Sequence, residues 1–396
     1  MTVTAPEVPP ERVRELASGL ADELEKAGDL TSPAWRQAVE TVPRHLFLPR
    51  FYRYEPARHE CVPVDSADPA QRQEWLRAAY QNRTWVTRVD DHHVDDDGST
   101  VRHGRPTSSG TLPGLLVRMA ELSGTADGDR VLEIGTGTGY FAALLCARLG
   151  DRHVTTVDVD PYLVEAARQR LAAAGYRPTV VLADGRDGHA GNAPYDRVIA
   201  TCSVRPIPSA WVTQTRPGGT ILTTLAGTSA MVRLTAHGSE QASGRVLPDY
   251  ASFMASRPAG PIENGPYERL FRQILDGVGP GEQAGPMPDL LGDWAFRFVA
   301  ELALPGLDCR RGSEEDGSVR NWLLAADGSW AIHTAPADGP PTVVEGGPRR
   351  IWSALADCHA AWVAHDSPRP EEFHVTVEPA GQQVVLPGGG LSYRLD

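Results

Sequence analysis

Between residues 10 and 27 the apolar positions Val13, Leu16, Leu20 and Leu24 recur at helical spacing, which predicts an amphipathic helix. Asp29-Leu30-Thr31-Ser32 then offers N-cap residues for a second helix running through Val42. After residues 43–49 the periodicity breaks up, and 85–89 (Trp-Val-Thr-Arg-Val) predicts a strand leading into a stretch rich in Asp and His, 90–98. A helix is expected over 112–123. Strands and helices alternate from there: strand 130–134, helix 140–149, strand 153–157, helix 161–174 opened by a proline in its first turn, then strands 179–182, 197–200 and 220–225. Alternation at this spacing implies right-handed βαβ crossovers and a parallel sheet covered on both faces, a doubly wound α/β domain.

Around 258–288 the composition shifts to Gly and Pro, which marks a boundary or an irregular connection. Beyond it the sequence predicts a hairpin from 322–324 and 330–332 around Asp327-Gly328, a helix over 350–363 and two late strands, 373–377 and 383–386. The expected organisation is an N-terminal helical and irregular segment (1–105), the doubly wound domain (106–257) and an α+β C-terminal extension (258–396).

The chain is 396 residues long and 41% hydrophobic, enough for substantial cores. Mean hydropathy is −0.31, and no apolar run approaches membrane-spanning length. With 38 basic and 51 acidic residues the net charge is −13, which argues against a nucleic-acid partner bound through its phosphates. Residues 1–10 have neither a basic start nor an apolar segment, so the expectation is a cytoplasmic protein with no membrane partner. Five cysteines, Cys61, Cys146, Cys202, Cys309 and Cys358, lie far apart and suggest reduced, mostly buried thiols, not a disulfide framework or a zinc cluster. The Asp and His residues of 90–98 read as a solvated acidic loop with no metal.

Candidate chemistry concentrates in Val131-Leu132-Glu133-Ile134-Gly135-Thr136-Gly137-Thr138-Gly139-Tyr140, an apolar strand, a carboxylate, three alternating glycines and a helix. Glycines there let the backbone turn tightly and approach a ligand. The dinucleotide fingerprint fails by one residue, because Tyr140 stands where its last glycine would be. Two more acids end strands: Asp158, placed to accept the hydroxyls of a ribose, and Asp184, placed near an adenine amino group. The glycine spacing alone fits a tight strand-to-helix turn, and any one acid fits a helix cap; three strand-end acids beside the loop point to one nucleoside-binding crevice.

These residues resemble class I S-adenosylmethionine-dependent methyltransferases and, among them, the protein-L-isoaspartate O-methyltransferase family. The resemblance runs from about Leu30 to about Arg257. It is carried by Val42-Pro43-Arg44-His45-Leu46-Phe47-Leu48-Pro49, by Ala183-Asp184-Gly185-Arg186-Asp187-Gly188 followed by Ala193-Pro194-Tyr195-Asp196-Arg197-Val198-Ile199, and by Arg216-Pro217-Gly218-Gly219-Thr220. It implies a Rossmann-like methyltransferase domain whose cofactor, S-adenosylmethionine, is held by Glu133, Gly135, Thr136, Gly137, Gly139, Asp158, Asp184 and Gly185. It also implies an acceptor-side serine at Ser109, with Ser108 the rival. Gly110-Thr111 departs there from the family's pattern of a small or polar residue and then proline. Either serine would also serve as an N-cap before Leu112.

The resemblance implies a peptide or protein partner bearing Asp or isoAsp. The roughly 140 residues after the core resemble extended relatives that methylate an Asp in a ribosomally made peptide, leading to aspartimide or isoaspartate, and that is the first expectation. Within the extension, Trp322, Trp330, Trp352 and Trp362 supply either aromatic contact area for such a peptide or buried core. A general isoaspartyl repair enzyme and a catalytically inactive peptide-binding module are the alternatives.

Overall fold

Runs of Val, Leu, Ile and Thr build the parallel strands Val131–Ile134, Val154–Asp158, Thr179–Leu182, Tyr195–Val204 and Thr215–Leu225, largely buried except for Thr179–Leu182, which forms the exposed edge. The first pairs with the second and the second with the third; the first also pairs with Tyr195–Val204, which in turn pairs with Thr215–Leu225. Strand order therefore reverses between Val131–Ile134 and Tyr195–Val204, and the crevice for a ligand opens there. The computed structural model describes residues 5–96, 98–102, 104–258, 266–275, 281–314 and 316–395.

The predicted core helices form as Pro113–Leu122, Tyr140–Leu149 and Pro161–Ala173, the last capped by Asp160, whose carboxylate accepts from the N–H groups of Tyr162 and Leu163. Among the strands that escaped the sequence reading, two continue this sheet directly. Ala230–Gly238 and Gln241–Tyr250 extend the sheet antiparallel from Thr215–Leu225. In the first, Val232, Leu234 and Ala236 are buried while Arg233, Thr235 and His237 face out, an alternation that was available. The second contains Gly244 and Pro248, and a Cβ at Gly244 would lie 1.9 Å from the Arg233 carbonyl oxygen.

The two predicted late strands form as His374–Glu378 and Gly381–Val385, and His374–Glu378 pairs with Gln241–Tyr250. With Ser392–Arg394 they complete a ten-stranded sheet that crosses the boundary drawn at 257/258. The hairpin Val319–Leu324 and Trp330–Ala335 belongs to a separate five-stranded antiparallel sheet, covered by helix Ile351–Ala364. Trp322, Trp352 and Trp362 are each no more than 8% exposed, so they are core, not an open aromatic surface. Part of the Gly- and Pro-rich stretch 258–288, including Pro261, Gly265 and Gly277 to Pro280, lies outside the described residues.

The N-terminal segment differs most from expectation. Helices Pro10–Ala27 and Pro33–Thr41 form as predicted, yet the irregular remainder is an antiparallel sheet of Arg50–Glu55, Glu60–Asp65, Trp85–Val89, His92–His93, Val101–Arg102 and Pro106–Gly110. Its strands are short and carry Arg, Glu and Pro, so they show no clean alternation; packing of Phe51 on Trp85, centroids 4.4 Å apart, supplies the apolar face. The acidic loop is only partly solvated. Asp95 is buried, accepting from the Arg170 guanidinium at 2.9 Å and the Tyr162 hydroxyl at 2.6 Å. Among the described residues no His, Cys, Asp and Glu cluster is fit for a metal, and no helix is long and apolar enough to cross a membrane.

Candidate active site

At the reversal of strand order the glycine loop, the strand Pro106–Gly110 and residues 253–257 line a cavity that opens to solvent. Of the predicted cofactor residues, Glu133, Gly135, Thr136, Gly137, Asp158 and Gly185 line it. Gly135 has φ +98°, and a Cβ there would lie 2.8 Å from the Thr201 hydroxyl, which itself donates to the Gly135 carbonyl. Thr136 shares a 2.6 Å hydrogen bond with Thr156 and so fixes the loop to the neighbouring strand. Gly185 forms floor, because a Cβ would press to 2.5 Å from Ile134.

Asp158 accepts the Gly137 N–H through Oδ2 at 2.9 Å and the Asp160 N–H through Oδ1 at 3.1 Å. One carboxylate thus shapes the loop and presents its remaining lone pairs to the cavity. Burial raises its pKa above the usual carboxylate range.

Glu133 is 1% exposed and its Oε2 has no hydrogen-bond partner among the described residues. Burial pushes its pKa up to about 8, with Asp158 adding to the effect and the Thr156 hydroxyl opposing it. The folded state therefore holds a proton that the unfolded chain releases near pH 4.5, and stability from this group falls as pH rises from there to about 8, by on the order of 1.4 kcal/mol per pH unit. Glu133→Gln should flatten that slope in the ligand-free protein. Denaturant midpoints at pH 5 and pH 8 check it, and equal pH slopes for the two proteins would count against it.

Two predicted residues lie elsewhere. Asp184 is not part of the cavity wall: its carboxylate caps its own turn, accepting from the Arg186 N–H and guanidinium, and this pairing holds its pKa below the usual range. Gly139, with φ +89°, faces helix Pro161–Ala173, where a Cβ would meet that of Ala167 at 3.3 Å; it serves helix packing.

Neither serine caps a helix. Ser108 and Ser109 sit on Pro106–Gly110, paired with Trp85–Val89, while the cap position is Leu112. Both line the cavity. Ser108 is buried and its hydroxyl accepts from Thr87 at 3.1 Å, whereas the half-buried Ser109 hydroxyl has no partner among the described residues. The Ser109 carbonyl lies 3.6 Å from where a Cβ on Gly137 would stand, so this strand meets the glycine loop directly.

Sequence reasoning missed the supports. Arg44, 1% exposed, donates to the carbonyls of Ala79, Gln81, Arg83 and Thr111, tying the serine strand's exit to the preceding loops; burial pulls its pKa down to about 10. Its guanidinium lies over Tyr140, whose hydroxyl is buried at the cavity wall without a partner among the described residues. The segment Phe253 to Arg257 crosses the cavity, held by the Ser203 N–H on the Met254 carbonyl and the Ser256 N–H on the Ser203 carbonyl. No periodicity announces that segment.

A doubly wound sheet with its cavity at the reversal, a glycine loop and a strand-end acid define the class I methyltransferase fold. Residues 69–244 match the family described as protein-L-isoaspartate(D-aspartate) O-methyltransferase. A protein-L-isoaspartate O-methyltransferase of Ignicoccus hospitalis is 40% identical over 111 residues, 28% of this chain and 53% of that one, so the chain spans about half of that relative. Protein-L-isoaspartate O-methyltransferase 1 of Archaeoglobus fulgidus is 33% identical over 211 residues, 53% of this chain and 77% of its own length. A solved protein-L-isoaspartate O-methyltransferase shares the fold with a TM-score of 0.52 at 19% identity, over 94% of this chain and 99% of that one. The chain belongs to the protein-L-isoaspartate O-methyltransferase family, whose cofactor is S-adenosylmethionine.

The residues present suit that cofactor. An unpartnered buried carboxyl at Glu133 and the Asp158 carboxylate face one cavity, complementary to a ligand with a cationic end and a ribose diol.

Proposed function

We propose that this chain methyl-esterifies the carboxylate of an isoaspartyl residue in a peptide or protein. The observation that carries the reading is the contact of the Ser109 strand with the glycine loop, which puts a free hydroxyl and the cofactor residues in one cavity. The cofactor supplies an activated methyl group on a sulfonium. The acceptor carboxylate is ionised at neutral pH, so no general base is required. The O–CH₃ bond forms as the S–CH₃ bond breaks, and no proton moves. The protein's part is to aim one carboxylate oxygen and exclude water. Ser109 donates to the other oxygen; Phe253 and Met254 roof the cavity.

The C-terminal extension, which the sequence resemblance ties to peptide tailoring, has a counterpart in the fold of the solved isoaspartate methyltransferase, whose match covers 94% of this chain. It therefore does not separate the two readings. A designated Asp in a ribosomally made peptide, leading to aspartimide, retains one supporting observation: the departure at Gly110-Thr111. Gly110 packs so tightly on Leu48 that a Cβ would come to 2.7 Å, so a larger residue beside Ser109 would require the Leu48 side chain to shift.

Ser109→Ala is expected to lower turnover about tenfold with cofactor affinity nearly unchanged, in keeping with loss of a hydrogen bond to a charged group. Steady-state rates with labelled cofactor measure it. Ser108→Ala acting in that way while Ser109→Ala is silent would move the role by one residue. Absence of transfer to any Asp or isoAsp peptide would leave the inactive binding module as the reading.

A further inference from the structure

Arg257 has no place in the family's match, which ends at residue 244, nor in the cofactor motifs. It lies on the segment that crosses the cavity, and its position is set by the backbone hydrogen bonds of Met254 and Ser256 to Ser203. Among the residues that line the cavity it is the one arginine or lysine; the acidic side chains there are Glu133, which keeps its proton in the ligand-free protein, and Asp158.

Among the described residues its nearest anion is Asp160, and that contact is long, 3.8 Å from Nη2 to Oδ2. Asp160 is compensated without it. Arg88 stands 3.4 Å and His93 3.3 Å from the same oxygen, and the other oxygen caps helix Pro161–Ala173. Arg88 and Asp160 are about nine-tenths buried, whereas the Arg257 side chain keeps 28% exposure, so it reaches both the cavity and its mouth. A guanidinium with donors left over, beside a cavity meant for a cationic methyl donor, gains from an anion that arrives with a ligand. The cofactor's own carboxylate has backbone N–H groups at the start of helix Tyr140–Leu149 to meet it. The acceptor's carboxylate has hydroxyl side chains of the cavity wall, Ser109 among them, but no cation other than Arg257.

We propose that Arg257 pairs with the carboxylate of the acceptor residue and, with Ser109, fixes the oxygen that is methylated. This rests on the reading of the chain as a carboxyl methyltransferase. Arg257 holds one oxygen and leaves the other free for in-line attack. Esterification removes the negative charge, so the same pairing favours substrate over product and speeds release of the ester.

The test compares wild type, Arg257→Gln and Arg257→Lys on an isoaspartyl peptide with labelled S-adenosylmethionine, and measures S-adenosylhomocysteine affinity by calorimetry. Gln should lower kcat/KM at least tenfold, mainly through KM, while affinity for S-adenosylhomocysteine stays within twofold, which also shows that the variant folds. Lys should restore part of the loss. Unchanged peptide kinetics overturn the proposal, and so does a tenfold fall in S-adenosylhomocysteine affinity, because the pairing is then with the cofactor or the fold. A wild type that methylates neither Asp nor isoAsp peptides fails the functional reading and takes this inference with it; kinetics insensitive to Arg257 in an active enzyme fail the inference alone.

Discussion

Arg44→Met is expected to lower folding stability by about 3 kcal/mol or more. The substitution keeps the volume of the side chain but strips donors from four carbonyls, those of Ala79, Gln81, Arg83 and Thr111, in a part of the protein where water does not replace them. The loss should extend to function, since the Thr111 carbonyl is two residues from Ser109 and the strand's position depends on it. Urea denaturation of the variant beside wild type measures the effect. A difference below about 1 kcal/mol would mean that the loop 79–83 is held by other contacts, and the account of the Pro43-Arg44-His45 segment would fail.

Asp158→Ala is the second large effect. It releases the Gly137 and Asp160 N–H groups, so the glycine loop loses its anchor, and it takes away the carboxylate proposed to accept the ribose hydroxyls. Affinity for S-adenosylhomocysteine should fall about 10- to 100-fold, the range for a hydrogen bond to a charged group. Asp158→Asn, which keeps an acceptor for the loop, should lose less. Calorimetry checks both variants. Unchanged affinity in the Ala variant would remove Asp158 from the cofactor site.

The central sheet could be read from the sequence because each parallel strand has an apolar stretch and helices or short turns of fitting length lie between them, one helix capped by Asp160. The same property made the glycine loop and Asp158 visible: they fall where a parallel strand ends, and topology alone directs such residues to one crevice. Asp184 met the same criterion and is placed differently, since Arg186, two residues on, takes up its carboxylate. Sequence pattern registers a strand-end acid but not the neighbour that occupies it. Arg44 looked like one part of a motif, and its role appears only when loops 35 to 67 residues away supply the carbonyls. Arg257 and Phe253 belong to a segment with no repeat, placed by two backbone hydrogen bonds to Ser203. Of the N-terminal sheet the strand Trp85–Val89 was legible, while its partners stayed hidden because Arg50, Arg53 and Pro63 interrupt any alternation and the pairing is set by contacts between distant strands.

Methyl transfer itself decides the account. Purified protein incubated with labelled S-adenosylmethionine and paired peptides, identical except for isoAsp or Asp at one position, gives kcat/KM for each acceptor on one preparation. The account predicts base-labile label on the isoAsp peptide, with a kcat/KM at least tenfold above that for the Asp peptide. Preferential labelling of an ordinary Asp, above all in a conformationally constrained peptide, would contradict it and establish the peptide-tailoring reading in its place.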